Sequence, residues 1–104
     1  MTKEFYQLLG LAYRAGKLKF GESALESIKA KKARLVLMTC DMSDKSKKRV
    51  LEKCEFYSAK YLIIDENKVL CEALGLKEKM VKLISVNDMG FAKSLMNKGG
   101  KVNG

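Results

Sequence analysis

The chain has 104 residues, 47% hydrophobic and 32% charged, which suits one domain with its own core and excludes a disordered chain. Lysine and arginine number 21 against 12 aspartate and glutamate residues, a net charge of +9, and residues 1–60 hold 14 basic and 7 acidic side chains. Histidine and CxxC pairs are absent, which excludes a common zinc site and the Ser–His and Cys–His pairs on which many enzymes depend.

The first third of the chain predicts a helix, a short strand and a second helix. Apolar residues recur at helical spacing from Lys3 to Arg14, and Gly16 stops the pattern. Leu18 and Phe20 flank a lysine, as in a brief strand. A second helix then follows, with Glu22 in its first turn and lysines at its far end, both of which favour the helix dipole.

Helices and short strands also alternate along the rest of the chain. This alternation favours an α/β fold, a three-layer α-β-α sandwich with a mixed four-stranded sheet. We expect one domain over residues 1–98 and a flexible tail over residues 99–104. The further predicted elements are a buried central strand at 35–38, a helix capped by Ser43 or Asp44, a strand at 61–64, a short helix at 69–74 ended by Gly75, a strand at 81–86 and a last helix after Asp88.

The cysteines and the apolar runs indicate where the protein works. Cys40, Cys54 and Cys71 are odd in number and lie in apolar surroundings, which predicts reduced, buried thiols and no disulfide framework. No apolar run reaches the roughly 20 residues of a spanning helix, and the first residues lack the apolar stretch of a signal peptide. We therefore expect a cytoplasmic protein with no membrane association, no metal and no cofactor.

The basic excess points to a polyanionic partner. RNA or DNA ranks ahead of an anionic membrane, because the sequence has no basic amphipathic helix with a bulky aromatic face. The same lysines could simply solvate the surface, which charge alone leaves as an equal alternative. A cluster at Lys45, Lys47, Lys48 and Arg49 cannot all face one way on a helix, so it predicts general electrostatic attraction.

A series of short motifs resembles the kink-turn-binding ribosomal-protein superfamily and, within it, the small bacterial YlxQ-like RNA binders. The resemblance covers roughly residues 5–97 and depends on the order and spacing of the motifs. They are Leu9-Gly10-Leu11-Ala12, Arg14-Ala15-Gly16-Lys17, Gly21-Glu22, Ala33-Arg34-Leu35-Val36-Leu37, Asp41, Lys47-Lys48 and Asn87-Asp88-Met89-Gly90-Phe91-Ala92.

The resemblance implies that a helix start enters RNA beside tandem sheared G·A pairs. A glycine there lets the backbone approach RNA, and a carboxylate can accept base amino protons. The same glycine could merely begin an ordinary helix. This segment is one residue shorter than the bacterial pattern, with Leu25 or Glu26 where relatives often have a lysine. The matching positions in this chain are Lys17, Lys19, Gly21, Glu22, Ser23 and Lys29.

The resemblance also implies a second loop that covers a nucleotide flipped from the kink. Ile64 would pack on this base, with Asp65 in place of the proline that many relatives have, so we expect a less rigid loop. The alternative is an acidic turn with a buried isoleucine. The matching positions are Ile63, Ile64, Asp65, Glu66, Asn67 and Lys68.

These observations predict non-enzymatic binding and stabilisation of a structured, kink-turn-like RNA. Ribosomal RNA is one candidate partner, and we expect a monomer in the free state. The alternative is a protein-interaction module on the same fold with only general RNA affinity. A small enzyme using Asp41 or Asp88 with a lysine is disfavoured, because the sequence has no phosphate-binding glycine motif and no metal cluster.

Overall fold

The computed structural model describes residues 1–76 and 80–99, and within them five helices alternate with four strands. This confirms the predicted α/β class and the position of each predicted element to within a few residues. The helices are α1 (Lys3–Arg14), α2 (Gly21–Lys29), α3 (Asp44–Phe56), α4 (Asn67–Leu74) and α5 (Met89–Gly99), and the strands are β1 (Leu18–Phe20), β2 (Leu35–Thr39), β3 (Tyr61–Ile64) and β4 (Leu83–Val86).

Local side-chain chemistry fixes several helix ends. Thr2 caps α1, where its hydroxyl accepts a hydrogen bond from the Phe5 amide at 3.2 Å. Of the two predicted caps of α3, Ser43 is the one used, accepting from the Ser46 amide at 3.3 Å. Gly75 ends α4 in the left-handed conformation, with φ of +69°. Each contact satisfies a backbone group that the helix leaves unpaired, so these ends are set by short-range sequence.

The strands form one mixed sheet in the order β1-β4-β2-β3. Strand β4 runs antiparallel to both β1 and β2, whereas β3 runs parallel to β2. Strands β1, β2 and β3 therefore point the same way. We call the end of the sheet where these three strands finish and β4 begins the carboxyl end, and the opposite end the amino end.

Helices cover both faces of the sheet. One core cluster packs α1, α4 and α5 against one face, and a second packs α2 and α3 against the other. Strand β2 is buried at all five positions, because it is central and covered on both faces. Its side chains alternate between the two clusters, with Leu37 in the first and Met38 in the second.

Cys54 and Cys71 are buried, but Cys40 is exposed, so its predicted burial is wrong; it follows the end of β2, in a turn that lies outside the core. Of the predicted tail, Gly99 closes α5, and residues 100–104 lie outside the described residues. Among the helices described, none has the length and apolar character needed to cross a bilayer.

Candidate nucleic-acid interface

The loops at the carboxyl end of the sheet gather the two elements that the sequence predicts for RNA binding. Gly21 follows β1 directly, and Asp65 follows β3. Between them along the edge lie the residues that precede β4 and the loop after β2, because the strand order is β1-β4-β2-β3. Neighbouring strands are about 4.8 Å apart, so the two elements are separated by roughly 14 Å.

The turn from β1 into α2 has no linker. Phe20 is extended, with φ of −120° and ψ of 148°, and Gly21 reverses the chain with φ of +56°. That conformation suits glycine, since a side chain there would crowd its own backbone. A Cβ built on Gly21 would meet no described atom within 4 Å, so the space in front of this backbone is open.

A cavity of about 420 Å³ extends from this turn to the start of α3. Its charged groups are Glu22, Arg49 and Lys82. The Arg49 guanidinium lies 3.7 Å from the Glu22 carboxylate, and both side chains are more than half exposed, so the pair stabilises the fold little. The lining residues are Gly21, Glu22, Leu25, Met42, Ser43, Ser46, Arg49, Val50, Met80, Lys82 and Leu83.

Helix direction adds positive potential to this cavity. Both α2 and α3 begin at the carboxyl end, since each follows a strand that ends there. A helix N-terminus carries roughly half a positive charge and leaves amides unpaired, which favours anions. The cavity therefore combines two helix starts with two cationic side chains.

The structure buries Ile64, the residue predicted to cover a flipped base. Its side chain is only 3% exposed and belongs to the cluster formed with α1, α4 and α5. Alternation along β3 turns Leu62 and Ile64 inward and leaves Ile63 at 36% exposure. Ile64 is therefore unavailable to an RNA base in this conformation, as the alternative of a buried isoleucine anticipated.

Asp65 anchors its loop to α1. Its carboxylate accepts a hydrogen bond from the Tyr6 hydroxyl at 2.8 Å and lies 2.7 Å from the N-terminal amine. The amine and then the phenol hold the pKa of Asp65 below its usual value. Burial, reinforced by Asp65, raises the pKa of Tyr6. These two contacts tie the loop after β3 to the start of the chain and to α1.

Asn67 also has a structural role. Its side-chain oxygen accepts from the Val81 amide at 2.7 Å and from the Cys71 thiol at 3.4 Å. Its own amide donates to the Asp41 carboxylate at 3.1 Å, which ties the start of α4 to the loop after β2. The exposed residues of the second predicted element are Ile63, Glu66 and Lys68.

The first predicted element is divided between the two ends of the sheet. Gly21, Glu22 and Ser23 are exposed at the carboxyl end. Lys17 precedes β1 and Lys29 ends α2, so both belong to the amino end. Lys19 lies between them in β1 and lines a different cavity, together with Ser23, Glu26, Ser27, Ala30, Lys32 and Asn87.

Met80, Arg49 and Lys82 are candidate residues that sequence reasoning missed or left unassigned. Met80 is 78% exposed and lines the same cavity as Gly21. The Lys82 ammonium donates to the Asp41 carbonyl at 3.3 Å, which holds it at this end of the sheet. An apolar side chain among lysines before a predicted strand was the available signal for Met80, but its partner Gly21 could be found only from the strand order.

Comparison with known proteins gives a consistent set of relatives. Residues 3–96 match the family described as ribosomal protein L7Ae/L30e/S12e/Gadd45. The chain is 37% identical over 95 residues to the RNA-binding protein YlxQ of Bacillus subtilis (strain 168), covering 90% of this chain and 93% of that protein. It is 34% identical over 87 residues to the RNA-binding protein YlxQ of Enterococcus faecium, covering 83% and 82% of the two chains.

Solved structures share the fold. A protein of unknown function from Bacillus halodurans superposes with a TM-score of 0.84 at 29% identity, covering 92% of this chain and 96% of that one. The Giardia lamblia 15.5kD RNA binding protein superposes with a TM-score of 0.75, covering 93% and 84%. Its identity is 19%, so this second likeness concerns the fold alone.

Proposed function

The chain belongs to the ribosomal protein L7Ae/L30e/S12e/Gadd45 family, and on that premise we propose that it binds a structured RNA at the carboxyl end of its sheet. Like its relatives in this family, it is not an enzyme. The observation that carries the proposal is the open turn at Gly21, which begins α2 beside Arg49 and Lys82. The relatives named as RNA-binding proteins support the choice of ligand.

The backbone at Gly21 is the point of closest approach. Open space in front of this residue allows a nucleotide edge to reach the first amides of α2. Glu22 follows at once and is exposed, so its carboxylate can accept amino protons from guanine or adenine. In the free protein Arg49 lies 3.7 Å from this carboxylate. RNA phosphate can then recruit Arg49 while a base takes its place beside Glu22.

Met80 supplies the apolar surface for an extruded base. Its side chain is mostly exposed, and it lines the same cavity as the Gly21 turn. An unstacked base can pack against an apolar side chain only if that side chain is exposed. We therefore propose that Met80, and not Ile64, covers the extruded base.

More specifically, we propose that the ligand is a kink-turn-like element within ribosomal RNA or another RNA of the cytoplasm. One protein monomer would bind one such element. A protein that fits only the bent form shifts the RNA toward that form by its differential affinity for bent and extended states. The cavity between two helix starts supports this, because it presents donors, a carboxylate and an apolar group to one side of a ligand. Binding therefore acts by stabilising the bend.

The experiment places two dyes on the arms of a kink-turn RNA in magnesium-free buffer. Protein should bring the arms together, whereas an RNA whose sheared G·A pairs are replaced by Watson–Crick pairs should stay extended. Gly21→Asn should weaken the response, because asparagine tolerates a left-handed backbone while its side chain fills the approach path. Leu11→Ala is the matched control, since Leu11 is 51% exposed on α1 and away from the cavity.

Salt dependence separates RNA binding from the kink-turn proposal. Phosphate contacts release counterions, so log affinity should fall linearly with log salt. A flat response would refute nucleic-acid binding itself. Equal binding to both RNAs without bending would instead leave a general RNA binder, or a protein-interaction module on the same fold.

A further inference from the structure

A second surface with the chemistry of an RNA contact lies at the amino end of the sheet. Helices α2 and α3 both terminate here, and a cavity of about 300 Å³ opens between their last turns. We call its four prominent side chains, Lys31, Arg34, Phe56 and Tyr57, the amino-end patch. The complete lining is Ile28, Lys31, Ala33, Arg34, Phe56, Tyr57, Ser58 and Ala59.

The aromatic pair gives the patch a supported, exposed ring. Phe56 is 78% exposed, although it is among the largest apolar side chains of the chain. Its ring centroid lies 4.8 Å from that of Tyr57 at an interplanar angle of 71°. Tyr57 in turn packs against the core cluster beneath α2 and α3. The exposed ring is thus backed by a second ring that the core holds.

The charges that line the cavity are of one sign, although Glu52 and Glu55 are exposed on the helix that carries Phe56. Lys31 and Arg34 are exposed, and none of the eight residues that line the cavity is acidic. Neither cation forms an ion pair within residues 1–76 and 80–99. Both belong to the run Lys29-Ala30-Lys31-Lys32-Ala33-Arg34, which has four cations in six residues. The free charge is therefore available to an anionic ligand.

At the amino end, two left-handed backbone positions that would suit glycine are occupied by residues with side chains. Helices α1 and α4 are followed or closed by left-handed glycines, Gly16 and Gly75, with φ of +73° and +69°. After α2 and α3, the left-handed positions are instead Lys31 and Ser58, with φ of +60° and +56°. A non-glycine residue is strained in this region, so glycine would relax it. A lysine at position 31 is therefore explained better by its charge than by the turn.

We propose that the amino-end patch binds an unpaired nucleotide of RNA, with its base stacked on Phe56 and its phosphates contacted by Lys31 and Arg34. Proteins that bind single strands combine stacking aromatics with cations in this way. A protein partner fits less well, because lysine is depleted from protein interfaces whereas this surface is rich in it. The cavity has the size of a small ligand site, at the lower end of roughly 300–1,000 Å³.

This site is separate from the proposed kink-turn site. Five residues of β2 span about 17 Å between the two ends of the sheet. A single RNA could reach both ends if an unpaired segment left the bent helix, but the amino-end patch needs no bent RNA. Its failure would leave the proposed function untouched, and the reverse also holds.

The experiment measures fluorescence anisotropy of fluorescein-labelled octauridine and octaadenosine with the full chain in low salt. Phe56→Ala should weaken binding roughly 5- to 150-fold, the range expected for loss of one stacked base, and Phe56→Tyr should restore it. Leu11→Ala serves as the control for an exposed apolar side chain. Phe56→Ala binding as tightly as wild type would overturn the proposal.

Two glycine variants separate charge from backbone strain. Lys31→Gly and Ser58→Gly should both raise the melting temperature, because each relaxes a left-handed residue. Only Lys31→Gly should also weaken oligonucleotide binding and reduce the salt slope by about 1. Equal oligonucleotide affinity in these two variants would overturn the role of Lys31. Two outcomes would overturn the whole site. The wild-type chain binds neither oligonucleotide, or the Gly21→Asn variant loses oligonucleotide binding while the Phe56→Ala variant keeps it.

Discussion

At the carboxyl end of the sheet α2 and α3 begin, whereas at the amino end the same two helices terminate. The first end is made positive partly by helix dipoles, so backbone amides and a single open glycine can serve a ligand. The second end has the negative ends of both dipoles. Cationic side chains must therefore supply its charge, as Lys31 and Arg34 do.

The two ends also differ in how their loops are held. At the carboxyl end Asp65 and Asn67 fasten the loops through hydrogen bonds to Tyr6 and Val81. At the amino end the turns after α2 and α3 close on backbone hydrogen bonds, with the amides of Lys32 and Ala59 reaching back into the helices. A rigid shape suits recognition of folded RNA, and exposed side chains suit an unpaired strand.

The largest expected effect is on stability, and it distinguishes the buried Ile64 from the exposed Met80 at the carboxyl end. Ile64→Ala should lower the free energy of unfolding by about 2–5 kcal/mol, because it leaves a cavity in the core. Met80→Ala should change stability by less than about 0.5 kcal/mol. It should weaken RNA binding by up to about 1.5–3 kcal/mol, the value for complete burial of a methionine side chain. Urea unfolding and RNA titration measure the two quantities.

Because Ile64→Ala could unfold the chain, Ile64→Val is the milder variant. It should cost about 0.5–1.5 kcal/mol of stability and leave RNA affinity of the folded protein unchanged. Reduced affinity with unchanged stability would return Ile64 to the RNA surface and remove Met80 from it.

A smaller effect tests whether Asp65 holds the loop. Tyr6→Phe keeps the ring and removes the hydroxyl, so it should cost about 1 kcal/mol at neutral pH, a modest value for a half-exposed carboxylate. The lowered pKa of Asp65 fixes the sign of the pH dependence. Its stabilisation is present above the unfolded pKa of about 3.9 and disappears as the pH falls through the folded value.

Urea unfolding at pH 7 and at strongly acidic pH therefore gives the measurement. The difference between wild type and Tyr6→Phe should shrink toward zero in acid. A difference that stays constant across this range would mean that the hydroxyl acts independently of the Asp65 charge, and the loop would need another anchor.

Short-range sequence predicted most of the fold. Helical spacing from Lys3 to Arg14 and the apolar runs at 35–38 and 61–64 were sufficient, because periodicity reports burial directly. The run Tyr61-Leu62-Ile63-Ile64 could not reveal which isoleucine is buried. That choice depends on which face of β3 meets the cluster formed with α1, α4 and α5, and two adjacent isoleucines match either register.

The candidate site was harder to predict because its residues are distant in sequence. Met80 lines a cavity with Gly21 only because β4 inserts between β1 and β2. Tyr6 bonds to Asp65 across 59 positions, and nothing local to either residue indicates that pairing. Lys17 and Lys29 were grouped with Gly21 because the family resemblance matches these positions, but β1 and α2 each separate a lysine from Gly21 by the length of the sheet.

The smallest expected effect identifies which end an RNA covers. Cys40 is exposed at the carboxyl end, whereas burial raises the pKa of the Cys54 thiol to about 11 and keeps it unreactive. A maleimide should therefore label Cys40 first, and a bound kink-turn RNA without a single-stranded tail should slow that labelling a few-fold. In a Cys40→Ser background, Ser58→Cys provides the matched thiol at the amino end. Its labelling should be slowed only by the same RNA with a single-stranded tail. Equal slowing of both thiols by the untailed RNA would mean that the two ends do not act as separate surfaces.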